Sequence, residues 1–324
     1  MQRVFSILLL LFITLSCSNK KEKLILGSSN GSSNHVLIVM DPAEWKGAVG
    51  DSIRNIIRQP ILGLPQPENQ FKVSQVSTKD FDELFRNTRN ILYIDLGKNT
   101  DFRTKKDVYA TPQKIVQITG VTEKDLLAEI SKHKKDIVQE FKKSDIKVIQ
   151  NNFRKESLWK DAELKTLENL NIELEIPRKY RLVEDSGDFL WMRRTYTKGT
   201  MNLLVYSYPI SNEDDLNGEN ITKFRDSIGQ KYIPGTKEGS YMITEAAYTP
   251  HTFEVTLDGK KTYETKGKWE LFNDFLAGPF INYTVLDKAN NRIIVVEGFT
   301  VAPMSEKRDQ MFELEAILKT LKIK

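Results

Sequence analysis

One thiol, three imidazoles and a few carboxylates beside a tryptophan are what this sequence offers for chemistry. Cys17 is its only cysteine, so no internal disulfide and no CxxC metal or redox pair can form. It follows Ser16 and an apolar run from Phe5 to Leu15 that begins after Arg3, the three parts of a secretory signal. A thiol at that exit reads as the lipid attachment point of a bacterial lipoprotein. The sulfur takes a diacylglycerol, residues 1–16 are removed, and Cys17 becomes the first residue. Thr14 stands where such signals usually carry leucine, with Leu15 one place late. About eleven apolar residues cover roughly half a bilayer core, too few for a spanning helix. Acyl chains contribute roughly 0.8 kcal/mol per buried methylene, so two or three anchor a protein durably.

The sharpest polar constellation is Asp41, Glu44, Trp45, Asp51 and Arg54. Asp41 closes the run HVLIVM, the position where α/β folds present ligand groups. Asp51 and Arg54 lie three apart and share one helix face. Carboxylates, a guanidinium and an indole platform suit a cation or a sugar. The competing reading is structural: Asp41 caps a helix, Trp45 packs, and Asp51 pairs with Arg54. In FLWMRRTY, alternation puts Phe189, Trp191 and Arg193 on one face and Leu190, Met192 and Arg194 on the other. An exposed face of Trp191 and Arg193 suits an acidic glycan or a partner protein; a sheet core with snorkelling arginines is the plainer alternative. His35, His133 and His251 are scattered, His133 on a Lys-rich face expected to be solvated, and no HExxH or Gly-rich nucleotide motif occurs. No catalytic residue, metal or cofactor is expected. Two DSI tripeptides, at 51–53 and 226–228, match a short O-glycosylation pattern but fall in predicted helices.

Several elements must position these groups. Residues 17–34, rich in Gly and Ser after SNKKEK, predict a flexible tether behind the lipid. From His35 the pattern runs strand, helix, strand, helix, strand. HVLIVM and ILYIDL are buried strands, FKVSQV and KIVQITG two more, and Trp45, Val49, Ile53 and Ile57 form one helical stripe. Pro60, Gly63, Pro65 and Pro67 make a rigid turn. This predicts an α/β domain over 35–170 with a partly parallel sheet, closed by helices near 122–141 and 154–170. From 171 to 324 short alternating strands take over, with a helix near 218–229 and a last one carrying Met311, Leu314, Ile317, Leu318 and Leu321. An antiparallel sheet flanked by helices follows, hence an α/β plus α+β chain.

The composition, 40% hydrophobic and 28% charged, is that of a globular protein. A net charge of +4 with interleaved Lys and Glu argues against a nucleic-acid partner.

The stretch VMDPAEWKGAVGDSIRNIIRQPILGLPQPENQFKVSQV, followed by RNILYID, resembles an uncharacterised lipoprotein family of Bacteroidetes, domain-of-unknown-function family DUF4837. The resemblance spans nearly the whole mature chain. It implies a Gram-negative envelope lipoprotein and brings no activity, cofactor or catalytic residue. More weakly, residues 172–324, from IELEIPRKYRLVED to LEAILKTLKI, look like a Mog1/PsbP-type α/β/α sandwich. The expectation is a non-enzymatic binding or accessory lipoprotein. It is held to the outer membrane by its lipid, faces the periplasm, and has an envelope protein or glycan as partner. The alternatives are a glycan or peptidoglycan hydrolase using Asp41, Glu44 and Asp51, and a structural subunit of an envelope assembly.

Overall fold

A computed structural model describes residues 26–210, 212–213 and 216–324. Cys17, the signal 1–16 and the tether as far as residue 25 lie outside the described residues.

The N-terminal half is built on β1 (His35–Val39), β2 (Lys72–Val76), β3 (Asn90–Leu96), β4 (Asp101–Lys106) and β5 (Lys114–Gly120). Their order is β2-β1-β3-β5-β4, with β2, β1, β3 and β5 mutually parallel and β4 antiparallel at the edge. The chain leaves β1 for β2 on one side, then crosses β1 to reach β3 on the other. Two helices fill the first connection, α1 (Pro42–Lys46) and α2 (Ala48–Ile57). The single stripe expected from Trp45 to Ile57 is broken because Gly47 is extended between them. Gly50 is required where α2 starts: a Cβ there would lie 1.9 Å from the Trp45 carbonyl oxygen. One turn, α3 (Glu83–Arg86), serves the second connection on the opposite face.

Two long helices follow, α4 (Glu123–Lys132), opened by a Thr122–Asp125 capping box, and α5 (Lys134–Lys155). Together with α2 they bury Val36, Ile38, Leu92, Ile94, Val116 and Ile118 on one sheet face. The helix expected over 154–170 is instead the end of α5, a bridge at Leu158 to Pro177, and a short α6 (Lys165–Asn169). Leu164 and Leu167 pack into the core of the C-terminal half.

That second half is an eight-stranded antiparallel sheet. Its strands are β6 (Arg181–Asp185), β7 (Phe189–Tyr196), β8 (Gly199–Pro209), β9 (Tyr241–Thr244), β10 (His251–Leu257), β11 (Lys260–Phe272), β12 (Ala277–Asp287) and β13 (Arg292–Val301). The order is β9-β11-β12-β13-β8-β7-β6, with β10 beside β9 on the edge of β11. α7 (Gly218–Tyr232) covers the face carrying Trp191, Leu204, Trp269, Phe280 and Phe299. α8 (Arg308–Leu318) covers the other with Leu314, Ile317 and Leu318, so the sheet lies between helices.

Direct contacts join the halves. Glu68 accepts hydrogen bonds from the Lys307 and Arg308 amides at 2.8 and 2.9 Å, serving the exposed donors at the start of α8. Gln150 Nε2 donates to the Ala316 carbonyl at 2.9 Å, and Ile146 packs on Phe312.

The Gly/Ser stretch before β1 is a correction to the flexible tether. Gly27 and Ser28 pair in parallel with Ala110 and Thr111, and the Asn30 amide donates to the Asn87 carbonyl. The Asn34 amide donates to the fully buried Asp145 carboxylate at 2.8 Å. Side chains this small permit any path, and backbone pairing fixes one.

Candidate functional site

The residues singled out in sequence are largely committed to structure. Asp41 Oδ1 accepts from the Ala43 amide at 2.8 Å and caps α1. Asp51 pairs with Arg54 at 2.6 Å, while Arg54 also donates to the Trp45 carbonyl and lies 4.5 Å over its ring. Trp45 is half-buried against the helix-side core. Glu44 has its pKa raised by burial, then by Glu123 and Asp41. Two of the three carboxylates of the hydrolase reading are therefore engaged as a cap and an ion pair.

Trp191 is also a correction. It is 6% exposed, its Nε1 donates to Asn202 Oδ1 at 3.0 Å, and Arg193 donates to that same oxygen while lying over the indole at 4.6 Å. Its ring is not offered to solvent. His133 is not a solvated helix residue either: it joins α4 to α5, stacks on Phe102 at 4.0 Å and faces Asp136 and Glu129. Among the described residues no group of three His, Cys, Asp or Glu side chains is placed to hold a metal.

An open site lies elsewhere, on the sheet face away from α2, α4 and α5. There Phe81 and, from α3, Phe85 pack with Leu37, Val39, Val76, Ile91 and Ile115, and the rest of the face is open. The register sets nine side chains of β3, β5 and β4 in three rows on this face. Ile91, Ile115 and Lys105 form the first, Tyr93, Gln117 and Arg103 the second, Asp95, Thr119 and Asp101 the third. Apolar groups thus give way to polar ones towards the ends of β3 and β5. A groove of about 370 Å³ runs over them, bounded by Thr78, Phe81, Arg86 and Tyr109. A second hollow of about 200 Å³ shares Gln117 and reaches Asp101 and Arg103. The larger one falls within the roughly 300–1,000 Å³ of small-molecule sites.

Aromatic rings wall one end. Phe81 stands edge-on to Tyr93 and to Tyr109, each at 5.9 Å between centroids. Arg86 lies 5.8 Å from the Phe81 ring and 5.4 Å from Tyr109. The position of Tyr109 comes from Gln113, which is buried. Its Nε2 donates to the Arg86 and Thr88 carbonyls at 2.6 and 2.8 Å, and its Oε1 accepts from the Tyr109 amide at 3.0 Å. One amide side chain thereby ties the end of α3 to the 107–113 loop.

The polar end holds uncommitted charge. Lys105 Nζ donates to Gln117 Oε1 at 2.9 Å. Neither Asp95 nor the Arg86 guanidinium has an ion-pair partner among the described residues. Burial, followed by the charge of Asp95 and the neighbouring Tyr109, raises the Tyr93 pKa, so its hydroxyl stays a neutral donor. Stacking surfaces beside a carboxylate, an ammonium, a guanidinium and an amide can grip a polyhydroxylated ligand with one apolar face.

Sequence reasoning missed these groups because ILYIDL reads as a strand buried on both faces. The signal was present: Tyr93 and Asp95, two apart, share one face, as do Gln117 and Thr119 in KIVQITG. A larger cavity, about 520 Å³, lies between α7 and the end of β8. Lys223 is the charged group in its wall and is paired with Glu219 at 2.6 Å, and the wall borders positions outside the described residues.

The architecture is a parallel-sheet α/β half joined to an antiparallel α/β/α half. The chain belongs to the family described as Domain of unknown function (DUF4837), whose model matches residues 157–320. Residues 29–154 match another, Domain of unknown function (DUF8532). The Asp41–Asp51, Pro60–Gln66 and Arg89–Leu92 segments therefore fall under this second model, and the DUF4837 match is carried by the antiparallel half. No curated protein matches the chain. Among solved structures, similarity is found to LpqN of Mycobacterium tuberculosis, described as involved in cell envelope biogenesis. It has 13% identity and a TM-score of 0.29, covering 47% of this chain and 82% of that one. The Ran-binding protein Mog1p of Saccharomyces cerevisiae is similar at 7% identity and a TM-score of 0.33, covering 47% and 90%. Likeness at these scores bears on neither function nor partner.

Proposed function

We propose that this protein is a non-enzymatic, lipid-anchored binding module of a bacterial cell envelope, and that the sheet-face groove takes a sugar unit of an envelope glycan. One observation carries the reading. Tyr93 and Tyr109 stand beside Asp95 and Arg86, neither ion-paired among the described residues, on the part of the sheet face that α3 leaves open. A pyranose ring presents an apolar face to an aromatic and hydroxyls to its rim, and the groove matches that division.

The anchor belongs to the same account. Cys17 lies nine residues before Leu26, the first described residue, and nine extended residues reach roughly 30 Å. Gly27 and Ser28 are held against Ala110 and Thr111, next to Tyr109, so a lipid on Cys17 keeps the groove near the membrane surface.

Calorimetric titration of the full chain in detergent with solubilised peptidoglycan fragments and outer-membrane polysaccharide tests the reading. Saturable binding that Asp95→Asn weakens is expected. Binding to neither glycan sinks the groove assignment, and binding that leaves Asp95→Asn unaffected moves the site elsewhere.

A further inference from the structure

The cleft between the two halves holds a second cluster of ionisable groups, unrelated to the groove. Lys142 reaches in from α5, Lys266 from β11, Glu315 from α8 and Lys319 from its C-cap. Two of these lysines have near carboxylates. Lys266 Nζ lies 2.8 Å from Glu264, which also accepts from the Tyr283 hydroxyl at 2.6 Å, and Lys319 Nζ lies 2.5 Å from Glu315. Lys142 makes no hydrogen bond and no ion pair among the described residues, and Glu315 acts on it only at longer range. Three ammonium groups therefore face two carboxylates, and the surplus charge belongs to Lys142. Burial lowers its pKa; Glu315 opposes this, while Lys266 and Lys319 add to it.

Lys142, Lys266 and Glu315 line a cavity of about 40 Å³ together with the amide side chains of Asn34 and Gln70. The rest of the wall is mainly apolar. A single water needs roughly 10–15 Å³ by this measure, so the space suits one small ion and excludes a sugar or nucleotide. Its walls come from both halves of the chain. An ion seated there would contact α5 on one side and β11 and α8 on the other.

We propose that this cleft binds one small monovalent anion, of chloride to acetate size, between Lys142 and Lys266, and that the anion fastens the two halves together. The bound charge balances Lys142 and contributes stability through selective binding to the folded state. Gln70 belongs to the turn that docks on the C-terminal core, so the site adds to an interface already formed by Glu68.

The experiment is thermal unfolding of the full chain in detergent, in sodium chloride against sodium gluconate at matched ionic strength. Gluconate is too large for the cavity. The midpoint should rise in chloride by about 2–3 °C and saturate. Lys142→Met should abolish that difference while melting in gluconate no lower than the unaltered chain, because it removes a half-buried ammonium group that has no partner among the described residues. Equal midpoints in the two salts, or a difference that survives in Lys142→Met, overturns the proposal. If that variant does not fold, a bromide-soaked crystal decides: an anomalous peak within hydrogen-bond reach of Lys142 Nζ supports the site, and its absence refutes it. A peak with no effect on melting means an adventitious ion only, which also refutes the fastening role.

Discussion

The antiparallel half carries a charge in the middle of its sheet, and removing its partner should be costly. Glu297, on β13, is fully buried, and Arg225 of α7 is 4% exposed. Arg225 Nε donates to both Glu297 oxygens at 3.0 and 3.1 Å, and Nη2 donates at 2.8 Å. Thr244 takes Nη1 at 3.1 Å, the Phe280 ring lies 3.9 Å from the guanidinium, and Asn282 Nδ2 donates to Glu297 at 3.0 Å. At an effective dielectric of about 20, charges 2.8 Å apart attract by roughly 6 kcal/mol. Desolvation of both ions offsets most of that, so the net worth of the pair is small. Arg225→Met leaves Glu297 charged and buried with one amide donor, and should cost about 3–5 kcal/mol. That is a large part of the roughly 5–15 kcal/mol available to a domain. Arg225→Met combined with Glu297→Met should cost less than the two single changes together, by about 2–4 kcal/mol, because no ion is then left unpaired. Urea unfolding of the four proteins measures this. Single variants within about 1 kcal/mol of the parent, or strictly additive costs, would refute the reasoning.

Three further outcomes follow from the same structure. Gln113→Leu removes three side-chain hydrogen bonds, to the Arg86 and Thr88 carbonyls and from the Tyr109 amide, and should cost about 2–3 kcal/mol in urea unfolding while weakening glycan binding without altering a groove residue. Glu315 is held at about 2: burial alone would raise it, but Lys266, Lys319 and Lys142 outweigh burial. Its folded pKa is depressed, so the stability it supplies is complete above its ordinary 4.5 and is lost as pH falls towards 2. Glu315→Gln should flatten that acid limb by about 3 kcal/mol in urea unfolding, and an unchanged limb would rule the mechanism out. Cys17→Ala should release a folded chain from membranes and block acyl labelling; a variant that stays membrane-bound argues against the anchor.

Much of the architecture was legible because hydrophobic periodicity encodes which face is covered. HVLIVM, RIIVVEGF and the stripe Met311, Leu314, Ile317 and Leu318 are buried as their spacing requires. Local breaks were harder. Gly47 splits one apolar stripe into two helices, and β4, with Arg103, Lys105 and Lys106 in six residues, has too little hydrophobicity to stand out from a loop. The Gly/Ser segment 27–34 reads as a spacer because its side chains impose nothing, yet its backbone is paired. Site residues were the least legible. Asp41, Asp51 and Arg54 drew attention by charge and serve a cap and an ion pair. Tyr93, Asp95 and Lys105 come from two strands that register brings together across a third, and Arg86 reaches them from α3. The lone glutamate in RIIVVEGF was a signal of another kind, since a buried carboxylate demands a cation, and Arg225 supplies it.

The most direct test of the central claim is photo-crosslinking in living cells from the groove itself. A benzophenone amino acid at Tyr109, 40% exposed beside Arg86, is compared with one at Phe275, which is 94% exposed on the antiparallel half. The account predicts an adduct from position 109 that a glycan-degrading enzyme collapses, absent from position 275 and weakened about tenfold by Tyr93→Ala. Adducts that are purely protein, or equal from the two positions, would contradict it.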